Sequence, residues 1–169
     1  MPQIGNGNGK GDGDGSADFG RFRETTLEAD KFAFRTSTIL NIKVTGPYTH
    51  AGSYTSLEEV IKHHANPAKA LANYDFSQLQ QSGISNLDKM QNNTQEALDK
   101  LTQDRLDGLN VLQDVELSNE QVSQLVDFMR ALTDPCVTDK TCMAKWVPTK
   151  GEDPNGDQLD GIDANGEYL

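Results

Sequence analysis

FRTSTILNIKVTGPYTHAGSYTSLEEVIKHH, residues 34–64, is the stretch whose reading decides the fold, because a β-branched run passes there through a Gly-Pro turn into an amphipathic helix. Ile39, Ile42 and Val44, with Thr36, Thr38 and Thr45, favour extended backbone, and Gly46-Pro47 interrupts it ahead of Tyr48 and His50. A turn therefore presents Tyr48 and His50. Thr55 with Glu58 and Ser56 with Glu59 form overlapping capping boxes, so a helix is predicted from near Ser56 to just before Pro67. Leu57, Val60, Ile61 and His64 fall on it at i, i+3, i+4 and i+7. That spacing puts His64 on the apolar stripe and turns His63, about 100° away, toward solvent on the polar face with Glu59. An imidazole replacing a core side chain needs a partner for its nitrogens. A metal ion suits it, and a backbone carbonyl is the alternative.

FRTSTILN at 34–41, VTGPYTHAG at 44–52 and SLEEV at 56–60 resemble the C-terminal part of the bacterial di-haem cytochrome c peroxidases and the related di-haem enzymes of methylamine utilisation. The pattern of that family runs F-[RK]-T-P-T-L-R-N, then L-T-x-P-Y-x-H-D-G, then T-L-E-E-V. Resemblance extends to PQIG at 2–5, DFGR at 18–21 and residues 118–134, and so covers most of the first 146 residues. It implies a mainly α, cytochrome c-like domain. In the family, the residue fourteen positions beyond the turn histidine is the distal axial ligand of the high-potential haem, usually Met or Tyr; counted from His50, that position is His64. The resemblance thus implies His64 as the axial ligand of a haem iron, with His50, Tyr48, Phe34 and Asn41 around the haem c. His50 would be a hydrogen-bond donor near its edge. It also implies a calcium ion between two haem domains, held by the backbone carbonyls of Thr45 and Pro47 and by an Asn of the other domain. Two carbonyls are few for an ion that takes about six to eight oxygens, so the isolated chain is expected to bind calcium weakly.

Ser37, Leu40 and Ala51 stand where the family pattern has Pro, Arg and Asp, and the lost Arg removes a partner for a haem propionate. A c-type haem is attached through Cys-x-x-Cys-His. The cysteines of this chain are Cys136 and Cys142 alone, so the haem would be attached through residues not in this chain. The chain is then the tail of a longer or split protein, or a remnant that has lost haem. The first alternative implies electron delivery from a small donor cytochrome or cupredoxin to a peroxidatic haem in the haem-bearing remainder of the same protein. Iron with a histidine on both faces is six-coordinate and moves electrons without binding peroxide. The second implies a catalytically silent structural or interaction fragment.

Length and composition bound these readings. A chain of 169 residues, 35% hydrophobic and with 15 glycines, predicts one domain with tails: a Gly-rich loop at 1–18, a cytochrome c-like domain at 19–147 and an acidic tail at 148–169. A net charge of −11 opposes nucleic acid and anionic membrane surfaces and favours a basic redox partner. No run approaches the roughly 20 apolar residues of a membrane span, and no signal-peptide pattern opens the sequence, so the signal of a periplasmic parent is expected upstream of Met1. GNGNGKGDGDG at 5–15 lacks phosphate-loop spacing and reads as a solvated loop, with calcium at Asp12 and Asp14 as the lesser reading. Asp153, Asn155 and Asp157 match the start of a calcium loop, but Gln158 and Ala164 occupy its Gly and Glu positions, so the tail reads as disordered and acidic.

Beyond the first helix, a short helix is expected around 67–74, and the apolar residues from Leu87 to Leu112 predict one or two helices packed on the core, interrupted by Gly108. Ser118 with Gln121 caps the most regular helix, whose stripe is Val122, Leu125, Val126, Met129 and Leu132 up to Pro135. Met129 reads as core. Cys136 and Cys142 fit neither a redox nor a zinc motif, so a small-loop disulfide is the favoured reading over two free thiols, and it indicates an oxidising compartment. Trp146 is expected to pin that loop to the domain. No Ser-His-Asp or Cys-His arrangement is present to support nucleophilic catalysis.

Overall fold

A computed structural model describes residues 17–79, 90–147 and 152. The expected Gly-rich loop and acidic tail, with their calcium readings, lie outside the described residues, Ala17, Asp18 and Glu152 apart. The fold is mainly α, and among the described residues there is no strand, only two isolated bridges, Gly20 to Ala33 and Tyr48 to Tyr54. The β-branched run of 36–45 therefore gains no sheet partner. Its side chains prefer extended backbone, but preference without a ladder leaves a loop and a single 3₁₀ turn over Ile42–Val44.

Among the described residues six α-helices appear in chain order: α1 Phe22–Thr25, α2 Leu57–Ala65, α3 Pro67–Ala72, α4 Met90–Leu106, α5 Asn119–Ala131 and α6 Lys140–Met143. Helix α2 starts where its capping box predicts, with Ser56 Oγ accepting the Glu59 N–H, and Asn66 closes it and caps α3 in turn, ahead of Pro67. At α5 the reciprocal box is complete: Gln121 N–H donates to Ser118 Oγ at 3.2 Å, and Ser118 N–H donates to Gln121 Oε1 at 2.9 Å. Helix α5 runs antiparallel to α2. Val115, just before it, donates to the Ala65 carbonyl at 2.8 Å, and Arg130, near its end, lies 3.9 Å from Glu58 at the start of α2.

Between these two helices sits the core. Leu57, Val60 and Ile61 of α2 join Val122 and Val126 of α5 in one buried cluster with Tyr54, Tyr74, Leu79 and Met90. Asn41 fastens the preceding loop to the far end of α5. It sits in the left-handed region at φ 61°, donates its N–H to Leu132 O at 3.1 Å, and accepts the Asp134 N–H on Oδ1 at 2.8 Å. Near the N-terminal end, Gly20 holds φ 59°, and a Cβ there would meet the Ala33 carbonyl oxygen at 2.4 Å, so the close approach of 19–21 to 32–33 requires glycine.

Two expectations are corrected, the packing of Leu109, Val111 and Leu112 and the role of Trp146. A single helix, α4, ends at Gly108, which takes φ 72° and lets Leu109 N–H reach back to Asp104 O at 2.8 Å. Past that cap the chain is not helical, and Leu109, Val111 and Leu112 are exposed instead of packed, since the turn carries them off the core. Trp146 does not pin the disulfide loop, for it is 77% exposed; the loop is short enough to be held by its own bond and by Asp139 capping α6. The disulfide itself is present, Cys136 to Cys142, with Cα atoms 5.2 Å apart. No helix of the described residues is long and apolar enough to cross a membrane.

Thiol titration of unreduced, denatured chain is expected to find no free cysteine; two free thiols would contradict the bond. Asn41→Gly removes the Oδ1 bond but keeps the backbone geometry, and should cost about 1 kcal/mol in urea unfolding. Asn41→Ala must also place a Cβ in the left-handed region, and should cost about 1 kcal/mol more.

Candidate functional site

The site grows out of residues 45–56. Gly46-Pro47 is a cis peptide, and the chain then folds into a tight loop closed by Tyr48 N–H to Tyr54 O at 2.7 Å and by Gly52 N–H to Thr49 O at 3.2 Å. Thr49 at φ 73° and Gly52 at φ 61° make the reversal, with the Pro47 ring against Gly52. Ser53 is fully buried behind it, and its carbonyl accepts the Tyr74 hydroxyl. At the loop tip, His50 stacks on Phe34 with ring centroids 3.6 Å apart and planes 15° from parallel. Tyr48 lies half-buried on the rim of the core.

Helix α2 carries the other two histidines, and the structure reverses their expected environments. His63 is buried, at 6% exposure, whereas His64 is exposed. On a helical wheel His64 does stand at the centre of the arc formed by Leu57, Val60 and Ile61. Yet α5 does not close over it, while the flank bearing His63 is covered by α3 and α4. His63 lines a cavity of about 90 Å³ together with Leu71 of α3 and Ala97, Leu98 and Leu101 of α4. The flank that His63 shares with Glu59 is thus covered and does not face solvent.

Burial decides the protonation of this group. His63 is pushed down to about 3 and stays neutral, and Tyr54 beside it is pushed up, first by burial and then by the neighbouring Tyr74 and Glu59. The Tyr54 hydroxyl lies 3.2 Å from His63 Nδ1. Between a protonated phenol and a neutral imidazole the direction of this bond follows the tautomer: with the ring proton on Nε2, the hydroxyl donates and Nδ1 accepts. Tyr74 is likewise raised, to about 12, by burial first and Glu59 second. Desolvation also lowers His50, against the pull of Asp18.

Of the residues expected around a haem, Phe34 and His50 are brought together, and Tyr48 adjoins them in the chain. Asn41 is placed elsewhere, with its side-chain oxygen engaged by Asp134 N–H. Thr45 and Pro47 flank the cis bond and are exposed, and among the described residues no group of three or more His, Cys, Asp or Glu side chains could hold a metal ion. Sequence reasoning missed Tyr54 and Tyr74. No spacing could reveal them, since the Tyr54–His63 bond depends on the bend between loop and helix and Tyr74 arrives from beyond α3. Set against known proteins, the chain matches no family model, no curated protein and no solved structure.

The neutral His63 makes stability depend on pH. Its folded-state value near 3 lies below the unfolded value of 6.5, so the unfolded chain takes up the proton first. Stability is intact above that unfolded value and declines as the pH falls toward the folded one. Between pH 7 and pH 5, urea unfolding should show the wild type losing about 2 kcal/mol more than His63→Gln.

Proposed function

We propose that the chain is the electron-transfer part of a di-haem cytochrome c peroxidase-like oxidoreductase, a cytochrome c-like domain passing electrons from a donor to a peroxidatic haem in the remainder of the protein. The observation that supports this reading is the exposed His64 at the centre of an apolar helical arc, on a molecule with much uncovered apolar surface. Leu125 and Phe128 on one flank of α5 are exposed, and so are Ile39, Leu40 and Val44 in the loop fastened to its end. Exposed apolar side chains in such number mark surfaces that meet another body.

The residues fit a haem supplied from elsewhere in one respect and not in another. An exposed imidazole offers an axial nitrogen, and the Phe34–His50 stack and the apolar loop offer walls. Both cysteines are in a disulfide, so thioether attachment must come from the remainder of the protein. When bound there, the haem would supply a reversible one-electron couple. This chain's own part is to present His64, to exclude water with its apolar rim, and through the carbonyls of Thr45 and Pro47 to contribute to a calcium ion shared with the other domain. The net charge of −11 suits a basic donor, a small cytochrome or a cupredoxin, and the disulfide suits the periplasm.

A second reading, a silent structural or interaction fragment without haem, draws on the same disulfide, which occupies both sulfurs. The two are separated by titrating the chain with a ferric haem c peptide that carries its own proximal histidine and an open sixth position. Wild type should convert its spectrum from high-spin to low-spin. His64→Ala should weaken that conversion at least roughly tenfold, about 1.4 kcal/mol, whereas Lys62→Ala, exposed on the same helix, should retain it. No conversion with wild type, or an equal one with His64→Ala, would overturn the electron-transfer assignment and leave the second reading.

A further inference from the structure

Five rings follow one another through the protein from one exposed side chain to another. His64 is 5.8 Å from His63, His63 5.3 Å from Tyr54, Tyr54 5.3 Å from Tyr74 and Tyr74 5.4 Å from Phe76, measured between centroids. His64 and Phe76 are exposed, and the three rings between them are buried. Most of this row is edge-on packing of an ordinary kind. One link is chemically distinct, because a phenol and an imidazole share a hydrogen bond away from solvent, the phenol donating when the ring proton is on Nε2. Tyr74 lacks that feature: its hydroxyl donates to the Ser53 carbonyl, which is too weak a base to keep a proton.

We infer that Tyr54 and His63 form a redox-active pair, in which Tyr54 gives up one electron while its hydroxyl proton moves to His63 Nδ1. The O–H bond of Tyr54 breaks and an N–H bond forms on His63. One electron leaves to an outer-sphere one-electron oxidant, and the products are a neutral tyrosyl radical and an imidazolium. Return of one electron from a reductant reverses both transfers. Oxidation makes the phenol proton strongly acidic, a stronger acid than even a buried imidazolium, and the hydrogen bond gives that proton a base in His63 Nδ1. Glu59, whose charge is felt at both Tyr54 and Tyr74, opposes the imidazolium charge in sign. The exposed His64 ring is the near end of the row for an oxidant, and the buried Tyr54, at 1% exposure, is kept from coupling to a tyrosine of another molecule. The inference deepens the electron-transfer reading and rests on it only for the physiological oxidant.

The test therefore uses the chain alone, with photogenerated tris(bipyridine)ruthenium(III) as oxidant and no haem. Trp146→Phe serves as background so that the exposed indole does not hold the hole. Freeze-quench electron paramagnetic resonance should find a tyrosyl radical that is retained in Tyr48→Phe and lost in Tyr54→Phe. Radical formation should slow on the order of a hundredfold in His63→Gln, which can accept the hydrogen bond but not keep the proton. Circular dichroism checks that both variants fold. Should Tyr54→Phe fail to fold, the background protein still decides: after exchange into D₂O its radical should show coupling to one exchangeable deuteron, the one shared with His63. A radical that survives in folded Tyr54→Phe, a formation rate unchanged in His63→Gln, or an absent deuteron coupling would each overturn the pair. Because no haem takes part, these results stand whether or not His64 meets iron.

Discussion

Contact between the apolar arc of α2 and the Val122–Val126 ridge of α5 is the interaction on which the rest of this structure depends. The chain is poor in hydrophobic residues, and its core is little more than these two helices with Tyr54, Tyr74, Leu79 and Met90 closing the edges. Everything functional is hung from them. The 48–54 loop enters α2 through the Ser56 cap, and the 39–44 loop is tied to the end of α5 by the backbone and side chain of Asn41. A helix pair with only one face closed needs such ties, because burial alone does not fix the loops at its ends.

What the pair leaves bare is as informative as what it buries. Leu125 and Phe128 continue the apolar surface of α5 past the ridge, and Leu109, Val111 and Leu112 follow the Gly108 cap without a cover among the described residues. Each would be more stable out of water by a kcal/mol or more, on the order of 25 cal/mol per Å². A molecule that keeps them exposed has a surface for another body, and the proposed electron-transfer role draws on such a surface.

Within the core the polar groups are arranged with more economy than the surface. Tyr54, Tyr74 and His63 would each be costly if unpaired, and they are satisfied by one another and by the Ser53 carbonyl. Gln78 serves the same end, accepting from Thr55 N–H at 2.8 Å and donating to Glu59. This network ties the loop, α2 and the turn after α3 into one unit, while burial holds His63 neutral.

The sequence by itself determined where α2 begins and ends and where α5 begins. Ser56 and Ser118 cap α2 and α5, and Pro67 bounds α2, because capping is satisfied by residues three or four positions away. It also pointed to the disulfide, since cysteines six apart in an otherwise cysteine-free chain have few other uses. Periodicity failed at the two histidines. It places a side chain on an arc of its own helix, but burial depends on which neighbouring element covers that arc, and only the tertiary structure brought α3 and α4 over His63 while leaving His64 bare. The β-branched run of 36–45 failed for the same reason, because a strand is made by its partner and none came. Tyr54 against His63 is a contact across a bend, and bends are set by packing, not by the residues on either side of them.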